Sequence, residues 1–206
     1  MGRWEPNAKE RLERAALDLF VEVGFAEATV PQITARAGLT TRTFFRHFAD
    51  KREVLFAAER ELPGLVGRLM AEAPESLSPM QLIERGLQIV AATRFEGNLE
   101  YLRTRRAVVE ADEGLREREL RKSAVLADAI RREFLNRGAD ELTATLTAQV
   151  AVTVLGVAVD RWLDQMGTRP LTELVHDTLS TLQSIVSDPG GEASLDVRYP
   201  GCRSSV

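Results

Sequence analysis

The chain has 206 residues, a formal net charge of −4 and a hydrophobic share of 44%. That is enough length for one large domain or two small ones and enough apolar residue for a buried core, while the negative balance excludes a protein that coats nucleic acid indiscriminately. A single cysteine, Cys202, and two histidines, His47 and His176, exclude a disulfide framework, a thiolate metal cluster and an all-histidine zinc site within one chain. No metal and no cofactor is therefore expected. The start of the chain, Met1 to Pro6, lacks the apolar segment of a signal peptide. No run approaches the roughly 18 consecutive apolar residues of a bilayer span, so the expectation is a cytoplasmic protein with no membrane partner. The charge is uneven: residues 1–52 carry nine Lys and Arg against seven Asp and Glu, a net of +2 that leaves −6 on the rest.

Helical periodicity dominates, with no run of strand-like alternation. From Asn7, an apolar stripe of Leu12, Ala15, Ala16, Leu19, Phe20 and Val23 predicts a first helix that stops at Gly24. Two short helices follow, over about 30–37 and 41–47. Asp50 is placed to cap a fourth, over about 50–72, that carries Val54, Leu55, Ala58 and Leu62. Pro63-Gly64 interrupts it, because proline lacks a backbone donor and clashes one turn back. Ser78 and Pro79 mark the start of a helix over about 79–95. Others are expected over 99–110, 114–136, 140–166 and 171–186, and the pattern ends at Asp188-Pro189-Gly190-Gly191. The fold class is all-α: a head of three helices and a C-terminal helical bundle, about nine helices in all.

The informative stretch is Thr29 to Phe48. Thr29 can cap the first short helix, Gly38 can take the left-handed backbone of a sharp reversal, and Thr40 can cap the second helix. Ile33 and Ala37 face inward and Leu39 plugs the turn. Two short helices so joined form a helix-turn-helix, whose second helix enters the major groove with its first residues toward base edges. Thr41 and Arg42 are the leading candidates to read sequence, with Thr43 beside them, since arginine matches the two acceptors of guanine and threonine suits thymine. Phe44 and Phe48 are expected in the core, Phe45, Arg46 and His47 within reach of the DNA backbone, and Lys51 beside phosphate at the start of the fourth helix.

Residues 7–62 resemble the N-terminal domain of the TetR family. Gly24-Phe25-Ala26-Glu27-Ala28-Thr29-Val30, the Ile33…Ala37-Gly38 spacing and Thr43-Phe44-Phe45-Arg46-His47-Phe48-Ala49-Asp50-Lys51 carry the likeness. The chain departs from the family at Phe45, where a tyrosine whose hydroxyl bonds phosphate is usual. The resemblance implies a helix-turn-helix domain over 1–50, a ligand-binding and dimerisation domain over 51–187, and a tail over 188–206 that reads as flexible. It implies a homodimer on a palindromic operator, with Thr29, Thr40, Thr41, Arg42, Thr43, Phe45, His47 and Lys51 as the DNA-contacting set. It further implies a repressor released by a small, largely apolar effector that shifts the fourth helix, a lever that Pro63-Gly64 would weaken or redirect.

Within the body, Arg94, Phe95, Tyr101, Arg105, Gln149, Thr153 and Trp162 are the candidate pocket residues, since such sites are apolar with a few polar groups. The helix over 140–166 is apolar on several faces and so must be buried on several faces. With the next helix it offers Leu146, Val150, Val154, Val157, Leu171, Leu174, Val175, Thr178 and Leu182 as the dimer interface. No acid–base–nucleophile constellation and no Gly-rich phosphate loop is present, so no enzyme is expected. The alternative is a helical interaction protein that no longer responds to ligand or binds DNA, against which Thr41, Arg42 and Lys51 speak.

Overall fold

The computed structural model describes residues 8–187, the side chains of Ala58 and Glu59 excepted. The predicted tail over 188–206 lies outside the described residues. Among those described there are ten α-helices and no strand: α1 (Ala8–Val23), α2 (Val30–Ala37), α3 (Thr41–His47), α4 (Glu53–Phe56), α5 (Leu62–Ala71), α6 (Pro79–Val90), α7 (Leu99–Glu110), α8 (Glu113–Asn136), α9 (Glu141–Asp164) and α10 (Leu171–Ser187). A 3-10 segment, Ala57–Glu61, joins α4 to α5, and a π-turn, Ala91–Phe95, extends α6.

Most boundaries follow from local chemistry. Thr29 and Gln32 form a reciprocal capping box at the start of α2, and Ser78 and Gln81 form another at α6, each with a proline in the first turn. Asp112 and Asp140 cap α8 and α9 through their carboxylates. Asp50 Oδ1 accepts from the Glu53 backbone N–H at 2.8 Å, as its position predicts.

The predicted fourth helix is split into three pieces: α4, the 3-10 segment and α5. Pro63 falls in the first turn of α5, where its missing N–H breaks no bond, and the tightened backbone lies in the turn before it. The carbonyls at the end of α4 are taken by side chains from elsewhere. Arg105 Nε donates to Leu55 O at 2.7 Å and Lys122 Nζ to Phe56 O at 2.6 Å. At the far end, Arg137 donates to the carbonyls of Met70, Ala73 and Pro74 at 2.8–3.2 Å. Long cationic side chains of α7 and α8, and of Arg137 just after α8, thus bond backbone carbonyls at the two ends of this split segment.

Two apolar cores result. One holds α1, α2, α3 and α4, from Leu12 through Phe44 and Phe48 to Phe56 and Ala57, together with Val108, Val109 and Leu115 from the body. The head's core therefore runs beyond residue 51 and takes in α4. The other core packs α5, α6, α8, α9 and α10 around Ala144, Ala158 and Trp162. By length and composition α9 is apolar enough to cross a membrane. Here it is the central helix of the body, with α8 on one side and α10 on the other, which accounts for its apolar character.

Candidate nucleic-acid interface and body cavity

The head is built so that α3 stands clear of the body. Gly38 has φ 64° and ends α2, a conformation that side-chain-bearing residues rarely adopt. A Cβ at that position would also lie 2.9 Å from Arg11 Nη2, which donates to Ala37 O at 2.5 Å and ties α1 to the end of α2. Thr40 Oγ1 accepts from Thr43 N at 3.1 Å and lies 3.0 Å from Thr43 Oγ1. Phe44 and Phe48, 0% and 1% exposed, anchor α3 from beneath.

On this anchored helix the sequence-predicted DNA residues divide into two groups. Thr41 and Arg42 are exposed, and among the described residues neither side chain has a hydrogen bond or ion pair. Phe45 is 56% exposed and meets Phe44 edge-on at 5.4 Å. In the other group, the Thr29 hydroxyl donates to Gln32 Oε1 at 2.7 Å and the Thr40 hydroxyl caps α3, so both serve the turn that aims the helix. His47 is half-buried, with Nε2 buried and unpaired. Burial, and then the charges of Arg46 and Lys9, hold its pKa below the usual imidazole value.

Lys51 departs from expectation. Its ammonium donates to Phe25 O at 2.7 Å, Ala26 O at 2.9 Å and Ala28 O at 2.9 Å, and stands 4.5 Å from the centre of the Phe25 ring. An ammonium has three donors, and all three hold the α1–α2 turn. The position predicted to meet phosphate is a staple inside the head; its charge remains near the surface, but none of its hydrogen bonds is left for phosphate.

The body contains an apolar cavity of about 70 Å³ between α5, α6, α8 and α9, lined by residues such as Val66, Leu69, Ile83, Ile130, Phe134 and Leu155, with Arg85 its one charged lining residue. None of the seven predicted pocket residues lines it. Arg94 pairs with Glu61 at 2.9 Å, and Phe95 packs on the body core from its edge. Tyr101 packs against the head core. Arg105, 8% exposed, joins Leu55 O, Glu119 (2.9 Å) and the Phe56 ring. Gln149 and Thr153 face solvent on α9, and Trp162 is buried in the core. The prediction sought polar anchors and aromatics, whereas this cavity is walled by aliphatic side chains that resemble ordinary core.

The residues predicted for the dimer face divide between the protomer's core and its surface. Val154, Leu171, Leu174 and Val175 are 0–2% exposed and face the protomer's own core. Thr178 is half-buried with its hydroxyl on Leu174 O, and Leu182 packs on the core. Only Leu146 and Val157, at 57% and 45%, face outward, with Val150 half-buried. The strong apolar stripe of an amphipathic helix turns to its own core first. The outward stripe of α9 runs through Leu142, Leu146 and Val157 together with Gln149, Thr153 and Gly156, the last three small or polar enough to escape a count of hydrophobic residues. The chain's one Glu-x-x-His spacing is likewise accounted for: Glu173 pairs with Arg169 at 3.0 Å and His176 with Glu84 at 2.8 Å.

A three-helix head that ends in an exposed, anchored second helix, on an all-helical body with an apolar cavity, has the build of a helix-turn-helix regulatory protein. Residues 13–58 match the sequence profile of the bacterial regulatory proteins of the tetR family. Over 92 residues the chain is 32% identical to the HTH-type transcriptional regulator TcmR of Streptomyces glaucescens, covering 45% of this chain and 41% of that one. The chain thus aligns with about two fifths of that relative's length. In overall fold it is similar to Thermus thermophilus FadR in complex with lauroyl-CoA, at 23% identity and a TM-score of 0.53, covering 89% of this chain and 100% of that one. It is also similar to SmeT in its triclosan complex, at 19% identity and 0.58, covering 84% and 90%. The likeness to the tetR family thus rests on residues 13–58 of the head, and the likeness of the whole chain to these structures is one of fold.

Two predictions follow from the head. Lys51→Met is expected to lower the unfolding free energy by about 2 kcal/mol, because hydrogen bonds from a charged donor are worth roughly 1.5–3 kcal/mol; Arg42→Ala is expected to change it by less than about 0.5 kcal/mol. Urea unfolding checks both, and equal effects would contradict the division of roles. For His47, the lowered folded pKa means that the unfolded chain binds its proton more readily, so stability falls as the pH drops below the ordinary value of about 6.5. His47→Gln should flatten that part of the stability–pH curve, and an unchanged curve would assign the effect to another group.

Proposed function

We propose that this protein is a cytoplasmic, homodimeric transcriptional repressor whose two heads grip a palindromic operator and which a small, largely apolar effector releases. The observation that carries the reading is the exposure of Thr41 and Arg42 on α3 with no partner among the described residues, while Thr40, Phe44 and Phe48 beside them are committed to cap and core. In a major groove, Arg42 would donate to guanine O6 and N7, and Thr41 would offer its hydroxyl or methyl. One seven-residue helix contacts too few bases for useful selectivity, so two heads about one helical turn apart read the two halves of a palindrome. The outward stripe of α9 suits the pairing of two copies, since its Gly156 and Thr153 allow close approach beside Leu146 and Val157.

The effector's character follows from the cavity walls, which are aliphatic and aromatic apart from Arg85. The ligands of the two structural neighbours, lauroyl-CoA and triclosan, are rich in apolar surface. At about 70 Å³ the cavity is well below the roughly 300 Å³ of a drug-sized site, so occupation must part α5 from α6 and α8. Binding then acts through the difference in affinity between the compact and the parted states.

Selection from a random duplex library, followed by anisotropy titration on the winning sequence, tests the reading. The expected result is a two-fold symmetric site, affinity that falls steeply with salt, and a loss of about 10-fold or more for Arg42→Ala, since one good bidentate base contact is worth about 1–3 kcal/mol. Failure to enrich any duplex would leave the interaction-protein reading in its place.

A further inference from the structure

α8 carries a ladder of side chains at four-residue spacing, Arg118, Lys122, Leu126, Ile130 and Phe134. The last three line the cavity, and the first two hold the head. Arg118 Nη2 contacts Glu53 Oε2, and Arg118 Nη1 lies 3.6 Å from Asp50 Oδ2. Lys122 donates to Phe56 O and lies 3.9 Å from Glu53 Oε1. Glu53 is only 5% exposed, so its charge must be compensated locally. Phe56, at 0% exposure, has Lys122, Arg105 and Arg118 at 4.7, 4.9 and 5.7 Å from its ring centre, each within reach of the ring's negative face.

The latch is tight in charge and loose in hydrogen bonding. Glu53 Oε1 has ion-pair contacts at 3.5 Å to Arg60 and 3.9 Å to Lys122 but accepts no hydrogen bond, and the buried Arg118 Nε donates none. A junction held by charge with unfilled hydrogen-bonding capacity can rearrange without losing its ion pairs. By contrast, the covalent path from cavity to head runs from α5 through the 3-10 segment Ala57–Glu61, a tightened and irregular connector. A 24-residue helix gripping α4 near one end and α5 at the other, through Arg137, is the stiffer route.

We propose that Arg118 and Lys122 are positioning residues that transmit a change at the cavity to the DNA-reading head, through α8 rather than along the split fourth helix. This rests on the regulator reading above, but its test needs neither effector nor operator. Ile130→Phe overfills the cavity from the α8 side and forces its wall outward; Leu69→Phe does the same from α5. Hydrogen–deuterium exchange on the full chain reads the α4 amides, 53–56. The expected result is that Ile130→Phe speeds α4 exchange about 10-fold in the natural background and less than 2-fold with Lys122→Met, while Leu69→Phe changes it less than 2-fold. Glu53→Gln, which removes the central anion and leaves both cations, should suppress the response equally and covers the case in which Lys122→Met fails to fold.

An equal response with and without the latch, no response to Ile130→Phe in the natural background, or a larger response to Leu69→Phe overturns the proposal. On a duplex selected by the protein, Ile130→Phe should weaken binding about 10-fold with the latch intact and less than 2-fold with Lys122→Met. Each fold-change is taken against the same background without Ile130→Phe, so that any effect of Lys122→Met by itself is divided out. If no duplex is selected, the regulator reading fails while the exchange result still decides the route.

Discussion

The meeting of α4 with three cations is the constraint on which the rest of the structure depends. Phe56 is fully buried at the seam between head and body, and the carbonyls of Leu55 and Phe56 accept from Arg105 and Lys122 where α4 gives way to the 3-10 segment. Buried carbonyls must be paired, and long side chains from α7 and α8 reach these two. The same cations stack around the Phe56 ring and neutralise Glu53. One small region therefore ends a helix, closes a core and fixes the orientation of the head.

From this seam the two halves follow different rules. The head is rigid through local chemistry: a capping box, a left-handed glycine, a buried Phe44 and Phe48, and the Lys51 ammonium on three carbonyls. Its rigidity leaves Thr41 and Arg42 outward and free to bond another molecule. The body is held by aliphatic packing over α9, with the small cavity behind α5 and α6 left unfilled. A reading head gains from being preformed, and an effector site gains from being able to open, so the distribution of order suits a regulator.

The head was legible in the sequence because its determinants are local. Thr29, Gly38, Thr40 and Ser78 declare their roles by what lies within four residues, and the structure assigns them those roles. What escaped involves partners far apart in the chain. Nothing near Lys51 indicates that it caps carbonyls 23 to 26 residues upstream, and nothing near Arg105 indicates a bond to Leu55, 50 residues away. The cavity escaped because its walls are indistinguishable from core by residue type. The outward stripe of α9 was legible only in part, at Leu146 and Val157, because Gln149, Thr153 and Gly156 escape a count of hydrophobic residues. Pro63 did signal the broken helix, but not the cations that stabilise the break.

The most direct test of the account is a crystal structure of the protein on the duplex it selects. The account predicts Thr41–His47 lying in the major groove, with Arg42 on a base edge and the Lys51 ammonium still on the carbonyls of Phe25, Ala26 and Ala28. A recognition helix outside the groove, or Lys51 swung onto a phosphate with the α1–α2 turn released, would contradict it.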